Sequence, residues 1–191
     1  MQSTNVAKRS MTKKSDVGIY MMNMLTRKIH LNFNSVGKNL KETLEKKVTR
    51  DIEGKCSVEG FIKPNSIKVL SYSSGILVEN QVMFEVVFEC MVCCPVEGMH
   101  IKCNVQNITQ AGIRAFVKDD ISPVIVYVSR DHHYNNKYFS TVKENDEITI
   151  KVIGQRYELN DPQVSVIGEI IEPKNENYKK KAKPKLVIKN A

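Results

Sequence analysis

From Gln81 to Cys94 the sequence alternates: Val82, Phe84, Val86, Phe88, Cys90, Val92 and Cys94 are apolar, and Glu85 and Glu89 stand between them. Successive side chains of a strand point to opposite faces, so the run predicts one long strand with a dry face and a wet one. Pro95 ends it, because a prolyl nitrogen cannot donate to a ladder. A strand this long needs ladder partners and a cover for its dry face, and the rest of the chain has to supply both.

An amphipathic helix precedes this strand in the chain. Val36, Leu40, Leu44 and Val48 recur at i, i+4 spacing, and Glu42 and Lys46 pair on the outside, which predicts an amphipathic helix over residues 36–52. Asn34 or Ser35 would cap its start, and Gly54 would supply the left-handed residue beyond its end. Before the helix, Ile29, Leu31 and Phe33 alternate with polar residues and predict a strand, so the fold is expected to begin near Leu25. After it, Cys56 and Val58 lead to Gly60-Phe61-Ile62, and Ile67 and Val69 make a further short strand.

Beyond Pro95 the chain reads as five strands. Residues 99–105 alternate, with a bend expected near Asn107; Gly112 to Lys118, Pro123 to Ser129, Glu147 to Tyr157 and Val164 to Ile171 complete the set. A polar segment, Arg130 to Lys143, separates the third strand from the fourth as a loop or short helix. Five strands with an insertion there follow the order of an OB barrel, which closes its sheet. The expected organisation is a lead-in over residues 1–24, an α+β domain over 25–95, an all-β five-stranded OB-fold domain over 96–172, and a Lys-rich tail over 173–191.

The charge lies at the ends. The formal net charge is +8, yet residues 25–172 carry 18 basic and 19 acidic side chains, whereas residues 1–24 carry four and one and residues 173–191 seven and one. Two readings of such ends stand open: solvated, disordered segments, or a salt-sensitive contribution to nucleic-acid binding. No run of about 18 apolar residues is present and the first residues are polar, so no membrane span is expected and the protein is expected inside the cell.

Five cysteines lack disulfide-framework spacing, and the Cys90–Cys93 pair has no second pair to complete a zinc site; buried thiols are expected and no metal. Asp131, His132 and His133 resemble an acid/base pair, but neighbours in an extended chain point apart. No phosphate-binding glycine loop, nucleophile elbow or H-E-x-x-H occurs, so no catalytic residue and no cofactor is expected.

Two stretches resemble a known family. Ser35 to Val48, Ile52 to Cys56 and Gly60 to Ile62 resemble the N-terminal tip domain of the seventh subunit of eukaryotic RNA polymerase II and of its archaeal counterpart. Phe84 to Phe88, Glu97-Gly98, Asn104 to Gly112, Val128 to Arg130 and Asp146 to Arg156 resemble the same family's hinge strand and S1 barrel. The resemblance implies a non-catalytic stalk subunit. Its partners would be the large subunits of the core polymerase, a fourth-subunit-like protein and single-stranded nascent RNA, and its place the nucleus, or a virus factory or virion if viral. Sixteen Asn, many Lys and no Trp suit an AT-rich genome such as that of a large DNA virus or a protist. It also implies that Gly60, Phe61 and Ile62 dock on the polymerase.

For RNA, Arg114 and Phe116 share a face by period two, Tyr127 lies on the neighbouring strand, and Arg130, His132 and Lys137 follow. Rings accept any base while cations follow phosphates. The family's barrels often place an aromatic directly after the glycine that opens the second strand; here Ile113-Arg114-Ala115-Phe116 follows Gly112. The rival is a free-standing S1-domain RNA-binding protein of translation or RNA decay, which would have no need of residues 25–95.

Overall fold

The structure is a computed structural model, and it describes residues 18–118 and 121–173. The expected lead-in and Lys-rich tail fall mainly on residues 1–17 and 174–191, outside the described residues.

The long alternation forms β6, Gln81–Cys93, the spine of an antiparallel sheet. One edge of β6 pairs along its whole length with β1, Tyr20–Asn32. The other edge is shared end to end by β3 (Gly60–Ile62), β4 (Lys68–Tyr72) and β5 (Ile76–Val78), and β2 (Cys56–Ser57) pairs with β3. The sheet thus starts at Tyr20, not near Leu25. Met21, Met22 and Met24 obey no alternation, but Tyr20 to Met24 take ladder partners from Cys93 to Glu89, and pairing rather than pattern makes them strand.

The helix α1, Leu40–Ile52, is four residues shorter than its stripe predicts. Phe33–Ser35 make a 3-10 turn instead of a cap, and Val36 is exposed. Leu44 and Val48 are fully buried against Phe84, Val86 and Phe88, the dry face of β6. Burying each such side chain contributes about 1.5–3 kcal/mol. Glu42 and Lys46 pair at 2.6 Å, and Gly54 follows the helix with φ of 71°, both as its sequence predicts. Glu45 and Glu53 reach off the helix to accept the backbone N–H groups of Val69, Asn65 and Ile67, which fixes α1 over the β4 side of the sheet.

The second unit is a closed barrel of β7 (His100–Ile108), β8 (Gly112–Phe116), β9 (Val124–Ser129), β10 (Glu147–Arg156) and β11 (Val164–Ile171), in the spatial order β7-β8-β9-β11-β10. β9 and β11 are parallel and every other pair is antiparallel. This is the OB arrangement. Alternate residues fill the interior, Ile101, Val105, Val126, Ile148 and Val164 among them. β7 carries a register shift between Val105 and Asn107, where a bend was expected. The polar segment holds two 3-10 turns, Asp131–His133 and Phe139–Thr141, which lay Phe139 and Val142 onto the barrel core.

The two units are joined along a seam. Cys56 donates its N–H to Asp161 O and accepts from Asn160 N, each at 2.8 Å, and the Tyr157 hydroxyl donates to Val58 O at 3.1 Å. Phe61 and Cys93 belong to the barrel's core rather than to the helix side.

Candidate nucleic-acid interface

A strand that gives its odd residues to a barrel's interior must give its even residues to the outside. In β8, Ile113 and Ala115 are buried, so Arg114 and Phe116 face out; in β9, Val126 and Val128 are buried, so Ile125, Tyr127 and Ser129 face out. Register then assembles rows across the surface. Asn107, Arg114, Tyr127 and Ile167 stand abreast on β7, β8, β9 and β11, and Asn104, Phe116, Ile125 and Ser165 form the next row. The first row borders a depression of about 460 Å³ whose wall includes His132 and Ser129.

Tyr127 is 43% exposed and Ile167 51%, so a ring and an aliphatic side chain stand open to solvent beside the Arg114 guanidinium. The floor depends on Gly112. A Cβ there would run into the Val128 carbonyl oxygen, and φ is 153°, so β8 and β9 approach closely because residue 112 has no side chain. An aromatic platform flanked by a cation and small polar groups can stack an unpaired base and hold the phosphate beside it.

Of the predicted RNA-contact residues, Arg114, Tyr127 and His132 meet at the depression, and Phe116 stands in the adjoining row, half-buried. Arg130 does not line the depression. Its Nη2 donates to Thr109 O at 3.3 Å and its guanidinium lies 5.5 Å from the centre of the Phe139 ring. Lys137 is exposed on the loop and does not line the depression. Asn107, Ser129 and Ile167 line the same depression and were not among the expected residues. Ile167 carried a signal, since it is the one exposed apolar residue of β11.

His132 and His133 do not form a pair, but the physical reason differs from the one expected. They lie in a 3-10 turn, not an extended segment, and His133 turns inward to 4% exposure. Its Nδ1 bonds Ser129 O at 2.7 Å while its Nε2 accepts the Ile170 N–H at 3.0 Å, and its ring stacks on Phe139. Both nitrogens are spent on tying the loop to β9 and β11.

The cysteines are free, and Cys56, Cys90, Cys93 and Cys103 are buried. Burial pushes the Cys56 and Cys90 thiols up to about 11 and Cys103 to about 12, with nearby carboxylates adding to each. Cys90 sits in the helix-side core and Cys93 in the barrel-side core, so the C-x-x-C straddles the sheet. Among the described residues no three His, Cys, Asp or Glu side chains converge as metal ligands.

The expected docking trio is buried. Phe61 and Ile62 are fully buried and Gly60 is buried between β2 and β6, where a Cβ would meet the Cys93 carbonyl oxygen at 2.6 Å. Phe61 fills the seam between sheet and barrel and cannot enter a partner while the seam is intact. What the hairpin presents is Val58, 74% exposed at the β2–β3 turn, with Leu159 of the β10–β11 turn, 65% exposed, lining the same groove. The stem is pinned by Glu59, whose carboxylate accepts from Arg27 and Ser57 and is held below the usual carboxylate range chiefly by the Arg27 hydrogen bond.

No protein-family profile matches the chain. Among curated proteins it is 22% identical over 190 residues to a putative DNA-directed RNA polymerase subunit of Acanthamoeba polyphaga mimivirus, covering 90% of this chain and 92% of the relative. It is 24% identical over 164 residues to DNA-directed RNA polymerase II subunit RPB7 of Glycine max, covering 77% and 89%. To subunit 7 of the same enzyme in Arabidopsis thaliana it is 25% identical over 150 residues, covering 70% and 82%. A chain with a closed OB-type barrel after a helix-backed sheet is thus similar, over 70–90% of its length, to DNA-directed RNA polymerase subunits of viral and plant origin, the RPB7-type subunits among them.

Proposed function

We propose that the chain docks on a core RNA polymerase through its N-terminal unit and meets emerging single-stranded RNA with its barrel. The observation that carries this is the coincidence of an open aromatic and cationic face on β8 and β9 with a likeness to polymerase subunits that runs through both units. In this reading the sheet with α1, through about residue 95, is the α+β tip domain, and residues 96–172 are the RNA-binding domain. The β2–β3 turn, led by Val58 rather than Phe61, is the docking element.

A fourth-subunit-like partner has a surface to cover. The sheet face opposite α1 presents Met22, Met24 and Ile76 with half-buried Met83, Val87 and Met91, interleaved with Lys28, Glu85 and Glu89. Methionines of this kind adapt to a partner's shape, and the charged residues among them can fix its register. A free-standing RNA-binding protein leaves the sheet half without a role, and the likeness to polymerase subunits includes that half. The site of action is then the nucleus, or the cytoplasmic factory or virion of a virus.

Photo-crosslinking tests the RNA role. A transcribing polymerase that carries the chain, with photoreactive uridine in RNA beyond the exit, is expected to label peptides spanning residues 107–132. Labelling confined to other subunits would contradict it.

A further inference from the structure

The parallel ladder between β9 and β11 ends with Tyr127 opposite Ile167, the two open side chains of the depression. Past that pair the chain leaves β9 for the turn at Asp131–His133, while β11 runs on to Ile171. A side chain then takes over from the backbone. The His133 ring bridges the strands, with Nδ1 2.7 Å from Ser129 O on β9 and Nε2 accepting the Ile170 N–H of β11 at 3.0 Å. Because Nε2 accepts, the single proton of a neutral imidazole sits on Nδ1, which donates to Ser129 O.

Three parts of the depression's wall meet at this ring. Ser129 ends the strand that carries Tyr127, Ile170 follows Ile167 on β11, and His132, which lines the depression, is the neighbour of His133 in the turn. The ring itself is held by stacking on Phe139, with centres 5.3 Å apart. Of the charged and titratable groups on the surrounding elements, Asp131 and His132 on the turn, Tyr127 on β9 and Glu169 on β11 are exposed, and Tyr138 before the second turn is half-buried. Arg130 sets its guanidinium 5.5 Å from the centre of the same Phe139 ring. A second proton on the imidazole would aim an N–H at the Ile170 N–H and bring a cation to a ring that Arg130 already shares. The bridge therefore exists only with the neutral ring.

We infer that His133 is a positioning residue of the RNA site: as a neutral bridge it completes the β9–β11 ladder and holds Tyr127, Ile167 and His132 around the depression, and its protonation releases the turn and weakens RNA binding. This rests on the barrel being an RNA site and adds what keeps that site in shape and which condition undoes it. The bridge is whole at the high-pH end and is lost as pH falls. His132 works with the opposite sign, since a proton there adds a cation at the depression.

Glutamine is the conservative replacement, because its amide offers one donor and one acceptor across a single carbon, as the imidazole does, and does not titrate. Phenylalanine keeps a ring beside Phe139 and loses both hydrogen bonds. Binding of the full chain to a labelled oligouridylate is read by fluorescence anisotropy between about pH 8 and about pH 5, the range in which histidines titrate. Each variant is measured at a temperature where circular dichroism shows it folded. At the upper end H133F is expected to bind roughly tenfold more weakly than the wild type, the worth of one or two hydrogen bonds, and H133Q to restore most of that loss. On acidification the wild type should lose affinity relative to H133Q, which shares every other histidine. Nitrogen NMR of the wild type should find the His133 proton on Nδ1 at the upper end of the range, a result that does not depend on how H133F folds. A folded H133F that binds like the wild type, a wild type and H133Q that respond to pH in parallel, or a proton on Nε2 overturns the inference. If it fails alone, binding persists and stays sensitive to Tyr127→Ala; if the wild type does not bind the oligonucleotide at either end of the range, the RNA reading itself fails and takes this inference with it.

Discussion

Phe61→Ala is expected to lower the stability of the protein by about 3–5 kcal/mol, because removing a fully buried ring leaves a cavity as well as losing its transfer free energy. For a chain of this size that corresponds to roughly 10 °C in the melting midpoint, readable by circular dichroism. The ring is the member of β3 that packs with Cys56 and Cys93 into the barrel core, so the same substitution loosens the seam between the units. Val58→Asp is the contrasting variant. Three residues away and exposed, it is expected to leave the melt unchanged and to act on polymerase attachment. A Phe61→Ala protein that melts like the wild type would mean that the ring is not in the core, and that the docking assignment should return to it.

The second large effect concerns RNA. Tyr127→Ala with Phe116→Ala removes both rings of the outward rows, and base stacking contributes about 1–3 kcal/mol per base, so affinity for single-stranded RNA should fall by roughly thirtyfold or more. Because stacking releases no counterions, the loss is expected at every salt concentration. Deleting residues 1–17 and 174–191 should instead weaken binding mainly at low salt and flatten the slope. Tyr127→Ala alone is the cleaner variant, since Tyr127 is exposed and Phe116 half-buried. Fluorescence anisotropy reads both, and a double variant that binds like the wild type would place the RNA site elsewhere on the barrel.

Strands whose two faces differ in polarity were legible in the sequence. β6 and β11 lie within a residue of their expected bounds, because alternation states directly which side chains are buried. The outward face of β8 and β9 followed from the same count, and so did the meeting of Arg114 with Tyr127. What alternation cannot state is the use made of a buried face. Phe61 occupies a strand of three buried residues, Gly60, Phe61 and Ile62, and a run that is buried on both sides carries no period. Only the seam shows that one side is filled by the barrel. Tyr20 to Met24 pose the opposite problem: their side chains do not alternate, and their membership in β1 comes from the ladder with β6. The position of Arg130 was not legible, because the turn that begins at Asp131 sets its guanidinium near Phe139 rather than along β9. Val36 fitted a helical stripe but lies before the helix, since the turn at Phe33–Ser35 sets where α1 can start.

The central claim is that this chain works as a polymerase subunit, and purification of the tagged protein from the cells or virus that make it tests this most directly. The expected result is recovery of the two large subunits of a multisubunit RNA polymerase in near-equal amount with the chain, retained through size-exclusion at moderate salt and reduced by Val58→Asp. Recovery of the chain alone, or with ribosomes or RNA-degrading enzymes and no polymerase, would contradict it.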